Sequence, residues 1–197
     1  MGMMTESRTP AQALKIPGEA GVWVFLFGDM VIFVVFFVAY LVDRAAAPGL
    51  FAQSSHELGL AVGVANTLIL LSSSLLVVVG LGAVRRGAVP VATGAFRGAM
   101  ACGVLFVVLK AFEYTQIASG ATGTDLNPFF SWYFILTGVH LMHVLIGLGV
   151  LGLMVSRAQQ SSDVTGKRLM VIESGACFWH LVDLLWMLIF PLLYLVA

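Results

Sequence analysis

The stretch "FLFGDMVIFVVFF", Phe25 to Phe37, decides how the rest of the chain is read. Apart from Gly28 and Asp29 it is wholly apolar, and it lies within a longer run from Val22 to Val42. About 20 apolar residues are what a helix needs to cross a ~30 Å hydrocarbon core. The run therefore reads as a membrane span. Asp29 within it demands a partner, because a carboxylate in hydrocarbon is costly unless it is neutral, paired or turned toward protein.

Four more stretches reach spanning length: Leu58 to Ala83, Gly98 to Ile117, Ser131 to Val155 and Val171 to Leu195. The 197 residues are 60% hydrophobic and 10% charged, with ten basic and ten acidic side chains. That composition excludes a soluble domain and a basic nucleic-acid-binding surface. The expected fold is all-α, an integral membrane bundle of five transmembrane helices over residues 21–197, preceded by a short tail over 1–20. The tail is polar, has no apolar core ahead of a small-residue cleavage site, and carries Glu6 where a myristoylation signal needs Ser or Thr. Cys102 and Cys177 fall inside spans near their starts and read as packing residues rather than a disulfide.

Lys and Arg in the connections set the orientation. One side collects Arg8, Lys15, Arg85, Arg86, Arg97, Arg157, Lys167 and Arg168, and the other has only Arg44. This predicts a cytoplasmic N-terminus and a periplasmic C-terminus. The longest outer segments, "DRAAAPGLFAQSSHE" (43–57) and "ASGATGTDLNPFF" (118–130), have loop composition. Trp23 at the inner edge, and Trp132 with Tyr133 at the outer, suit interfacial anchors. Gly138, Gly147, Gly149 and Gly152 would let the fourth span approach its neighbours closely.

Few polar residues remain inside the membrane: Asp29; Asn66 with Ser72, Ser73 and Ser74; Lys110 and Glu113; His140 and His143; and Glu173, His180 and Asp183. At ~1.5 Å per residue, Asp29 and Asp183 lie roughly 12 and 18 Å from the inner ends of their spans, and His143 and His140 roughly 18 and 13 Å from the outer end of theirs. Asp29, His143, His180 and Asp183 thus approach one depth, where they should seek one another. Glu113 and Asn66 lie nearer the outer surface. His140/His143, His180/Asp183 and Lys110/Glu113 are each spaced i, i+3, which puts each pair on one helix face. Unless it is protonated, Asp29 should meet His143 or His180.

Three readings of these residues stay open. "HLMH" and "HLVD" could offer imidazoles and a carboxylate to a metal, making a self-sufficient membrane metalloprotein, although the repeated Glu-x-x-His pattern of di-metal bundles is missing. The carboxylates and histidines could relay protons. Or they could bond one another and fix helix register. Soluble-enzyme motifs are absent, as are the internal repeats of a transporter. A chain without its own catalytic kit reads as a subunit of something larger.

The segments "GVWVFLFGDMVIFVVFF" (21–37), "NTLILLSSS" (66–74), "KAFEY" (110–114), "FFSWYFILTGVHLMHVLIG" (129–147) and "FWHLVDLLWMLIFPLLY" (178–194) resemble, in this order, the cytochrome c oxidase subunit III family. "TGVHLMHVLIG" and "WHLVDLLW" carry the resemblance most specifically. The typical subunit III has seven helices, whereas this chain has five and begins at what resembles the third. The family's "SE" is here Gly28 and Asp29. The opening "PGEAGVWVFLFGDM" (17–30) is similar to the five-helix branch associated with nitric oxide reductases in denitrifying bacteria.

The resemblance implies an accessory subunit of a respiratory haem-copper complex in the bacterial inner membrane, with no catalytic centre of its own. It would bind neither haem nor copper, which belong to the partner catalytic subunit, and would support that partner's assembly, stability or proton uptake. Membrane lipids and the other membrane subunits complete the implied contacts; the absence of the first two helices bears on the family's lipid-holding cleft. Asp29 stands where relatives carry a carbodiimide-reactive glutamate. Glu113, His140, His143, His180 and Asp183 match family motif positions whose implied role is structural.

Overall fold

A computed structural model describes residues 20–120, 127–159 and 166–195. The described chain is helical: α1 (Ala20–Ala46), α2 (Pro48–Ser55), α3 (Leu60–Arg85), α4 (Val89–Gly120), α5 (Pro128–Gln159) and α6 (Gly166–Tyr194). Five of the helices, all but α2, are long and apolar enough to span a membrane. The tail expected over residues 1–20 lies, apart from Ala20, outside the described residues.

The third span starts nine residues earlier than expected, at Val89 rather than Gly98, and takes Arg97 out of the loop onto the helix. The reason is a tight turn at Gly87. With φ at 71° it terminates α3 in the left-handed conformation, and the N–H groups of Gly87 and Ala88 return to the carbonyls of Val84 and Ala83 at 3.0 and 2.9 Å. The second departure is α2, within a segment expected to be loop. Pro48 sits in its first turn, where a missing N–H costs nothing, and Phe51 is buried edge-on against Tyr40 and Phe129. Asn127 caps α5 by accepting from the Phe129 N–H at 3.0 Å, and its amide donates to Ser54 of α2 at 2.7 Å.

The long helices alternate in direction. One end of the bundle gathers Arg85, Arg86, Arg157, Lys167 and Arg168 at helix termini, and the opposite end carries α2. α3 packs on α4 and α6, α4 on α5, and α5 on α6, while α1 lies on the outside against α5 and α6. The buried positions repeat at alternating three and four residues: Gly63, Asn66, Leu70, Ser73, Val77 and Gly80 on α3, and Ala92, Phe96, Ala99, Gly103, Phe106, Lys110 and Glu113 on α4. That is the seam of a closely packed antiparallel bundle. α1 buries only a narrow stripe, Leu26, Asp29, Phe33 and Tyr40, and turns valines and phenylalanines outward.

Of the four glycines expected to give close contact on α5, one does. A Cβ on Gly147 would lie 2.7 Å from the Trp179 ring, whereas Gly138, Gly149 and Gly152 face open space. Gly103 of α4 meets the same indole at 2.9 Å, so two glycines from facing helices seat one tryptophan.

Candidate functional site

The expected polar layer resolves into separate pairs, each placed by a different helix contact. Nearest the α2 end, Lys110 and Glu113 of α4 meet at 2.8 Å, and Lys110 is only 1% exposed. The ammonium also donates to the hydroxyls of Tyr194 at 2.9 Å and Tyr133 at 3.3 Å, and the Tyr194 hydroxyl donates to Glu113 Oε1. All three ammonium hydrogens are thereby used, and the charge also lies 4.7 Å from the Trp186 ring centre. A buried ion pair repays its desolvation only when its remaining donors and acceptors are met, and here they are.

Tyr133 and Tyr194 were not legible as site residues. Tyr133 reads as an interfacial anchor beside Trp132, yet it is fully buried and turned to Lys110. Trp132 is the one that stays at the end of the helix, donating from its indole to Asp43 at 2.7 Å. The clue lay in the i, i+3 pair: a lysine and a glutamate inside hydrocarbon have more hydrogen-bonding capacity than one pair satisfies.

Asp29 meets His143, with Oδ1 3.0 Å from Nε2. His143 Nδ1 lies 2.8 Å from the Val139 carbonyl, which can only accept, so Nδ1 carries a hydrogen and the tautomer is fixed. Nε2 then either accepts from a protonated Asp29 or, itself protonated, donates to the carboxylate. In both forms the pair holds one proton and has no net charge. Phe33 packs edge-on to the imidazole at 5.5 Å and shields it.

His180 does not reach Asp29; its Nδ1 lies 2.7 Å from the Ser74 hydroxyl of α3. Glu173 pairs with Arg85 at 2.8 Å. His140 parts from His143, because residues three apart on a helix differ by about 60° in direction. Its ring instead packs inside the bundle against Phe106 and Trp186, with centroids 5.6 and 5.3 Å away. Neither His140 nitrogen, neither amide atom of Asn66, nor Asp29 Oδ2, nor the Thr93 hydroxyl has a hydrogen-bond partner among the described residues. Among those residues no three His, Cys, Asp or Glu side chains converge on a point that could hold a metal ion. The metalloprotein alternative built on His140, His143, His180 and Asp183 therefore lacks a ligand set there.

A family model described as cytochrome c oxidase subunit III matches residues 7–197. A protein of Synechocystis sp. named cytochrome c oxidase subunit 3 is 31% identical over 175 residues, covering 89% of this chain and 74% of the relative. One of the same name from Thermostichus vulcanus is 28% identical over 180 residues, 90% of this chain and 86% of the relative. A protein of Aeropyrum pernix named heme-copper oxidase subunit I+III is 25% identical over 183 residues, 90% of this chain but 22% of that longer protein.

Proposed function

This chain belongs to the cytochrome c oxidase subunit III family, and on that premise we propose that it is a non-catalytic subunit of a respiratory haem-copper complex, packed against the catalytic subunit in the bacterial inner membrane. The observation that carries the reading is the family match across nearly the whole chain. The relative named subunit I+III supports the choice of partner, since its name joins a subunit I and a subunit III in one chain. Haem, and copper where present, reside in that partner. α1 supports a role in docking, because its outward face is apolar along most of its length and is left uncovered by the other described residues. The excess of Lys and Arg at one end supports a cytoplasmic N-terminus and a periplasmic C-terminus.

In this role the polar residues hold the subunit together rather than perform chemistry. Lys110–Glu113 ties α4 to α5 and α6, Asp29–His143 ties α1 to α5, and Ser74–His180 ties α3 to α6. Support for the partner's proton uptake is the further service we assign, with Asp29–His143 as the pair able to hold a proton. The opening "PGEAGVWVFLFGDM" favours a nitric-oxide-reducing partner, while the names of the curated relatives favour an oxygen-reducing one.

Purification of the native complex through a tag on this chain tests the reading. A haem-containing subunit should co-elute, and oxygen and nitric oxide consumption by the same sample should separate the two partners. A preparation without haem overturns the assignment.

A further inference from the structure

We propose that the level of Trp186, in the half of the bundle nearer α2, holds ordered internal water bound by His140 and Asn66, while the level of Trp179 and Ser73 in the other half is dry. His140 and Asn66 are 0% exposed, and all four of their side-chain polar atoms lack a protein partner among the described residues. The two belong to one level of the seam. Asn66 is one position along α3 from Thr67, which accepts from the Trp186 indole at 3.0 Å, and His140 packs on that same indole.

The neighbouring donor hydrogens are already spent. Lys110 spends its three hydrogens on Glu113, Tyr133 and Tyr194; both Glu113 oxygens accept; and the Thr67 hydroxyl, having accepted from Trp186, donates to the Gly63 carbonyl at 2.9 Å. Phe106 closes the level with an apolar ring. Lipid tails have no hydrogen-bonding groups, so water is the ligand whose paired donor and acceptor character matches an imidazole and an amide together. The other half differs in kind. Trp179 donates to Ser73, Ser73 donates to the Ala99 carbonyl, and Gly103 and Gly147 close on the indole from two sides. The Trp179 indole and the Ser73 hydroxyl are both satisfied by protein, and the unpartnered Thr93 hydroxyl of that half lies further along α4, beyond Phe96.

The two halves contain matched reporters, since Trp186 and Trp179 are both fully buried, as are Phe106 and Phe96. Radiolytic hydroxyl-radical labelling of the purified complex in ¹⁸O-water, read by mass spectrometry, should mark Trp186 and Phe106 several-fold more than Trp179 and Phe96. H140L should bring Trp186 down to the level of Trp179 and leave Trp179 unchanged. If that variant does not assemble, the comparison within the unmodified complex decides alone. Equal labelling of the two pairs overturns the proposal, as does a high-resolution density map in which the His140 nitrogens bond directly to protein side chains.

Discussion

The two halves of this bundle solve one problem by opposite means. Between helices in a membrane there is little hydrophobic gain, so association rests on close packing and on hydrogen bonds. The half nearer the arginine-rich end uses packing: Trp179 between Gly103 and Gly147, Phe96 against Gly80, and Met154 against Gly175. The half nearer α2 uses polar groups, with Lys110, Glu113, Tyr133 and Tyr194 in one network. The first is intolerant of added volume; the second is intolerant of a missing partner and, at Gly63 against Phe190, of added volume as well.

The largest test of that contrast removes one partner from the polar half. E113L strands the Lys110 ammonium, and losing one member of a buried pair costs about 3–5 kcal/mol. The subunit should unfold at markedly lower temperature in detergent and be lost from the complex. Adding K110M should recover most of the loss, because it removes the stranded charge and leaves the neutral Tyr133 and Tyr194 hydroxyls, which can bond each other, in its place. A double variant no better than the single one would mean that the network specifies the fold rather than balancing a charge.

Added volume is the corresponding test for the packed half. G147A drives a methyl into Trp179 and should cost about 1–3 kcal/mol. G138A, whose added Cβ would meet no atom within 4 Å, should stabilise α5 by up to ~1 kcal/mol through helix propensity. Thermal unfolding of the two variants should therefore move in opposite directions.

Asp29 tests the junction of α1 with the rest. D29L leaves His143 Nε2 unpaired at a cost of about 1–3 kcal/mol, whereas D29N retains a hydrogen-bonding group and should keep the subunit assembled. Turnover by the purified complex then separates the roles. Unchanged turnover in D29N means that the pair holds α1 in place, and impaired proton-coupled turnover means that it passes a proton. The smallest effect is expected at the surface: Arg85 is 52% exposed, so R85A should cost no more than ~1 kcal/mol in the same melting assay.

Much of this was legible beforehand, for identifiable reasons. Apolar runs gave the five spans because the bilayer fixes their length, and depth counting brought Asp29 to His143 because an unpaired carboxylate has few places to go. Spacing could not tell that His140 and His143 face different neighbours, since the small angle between them matters only once those neighbours are placed. Nor could it distinguish Gly147 from Gly138, because a glycine gains its meaning from the tryptophan opposite. Tyr133 and Tyr194 were hidden by their position near span ends, where an aromatic ring has a simpler explanation. The start of α4 was missed because "VPVATGAFRG" (89–98) has the composition of a loop, while Gly87 had already completed the turn.

The Asp29–His143 contact joins residues 114 positions apart, and this has a consequence for how the protein is made. Of the described helices, α1 leaves the ribosome before the others. At about 5–20 residues per second, roughly 6–23 s of translation separate Asp29 from the histidine that will receive it. Throughout that interval Asp29 is without His143, and of the inward stripe of α1 Tyr40 can already meet Phe51 of α2. Attachment of α1 is thus a late step in biogenesis, and the pair that secures it marks the moment at which the newly inserted chain closes.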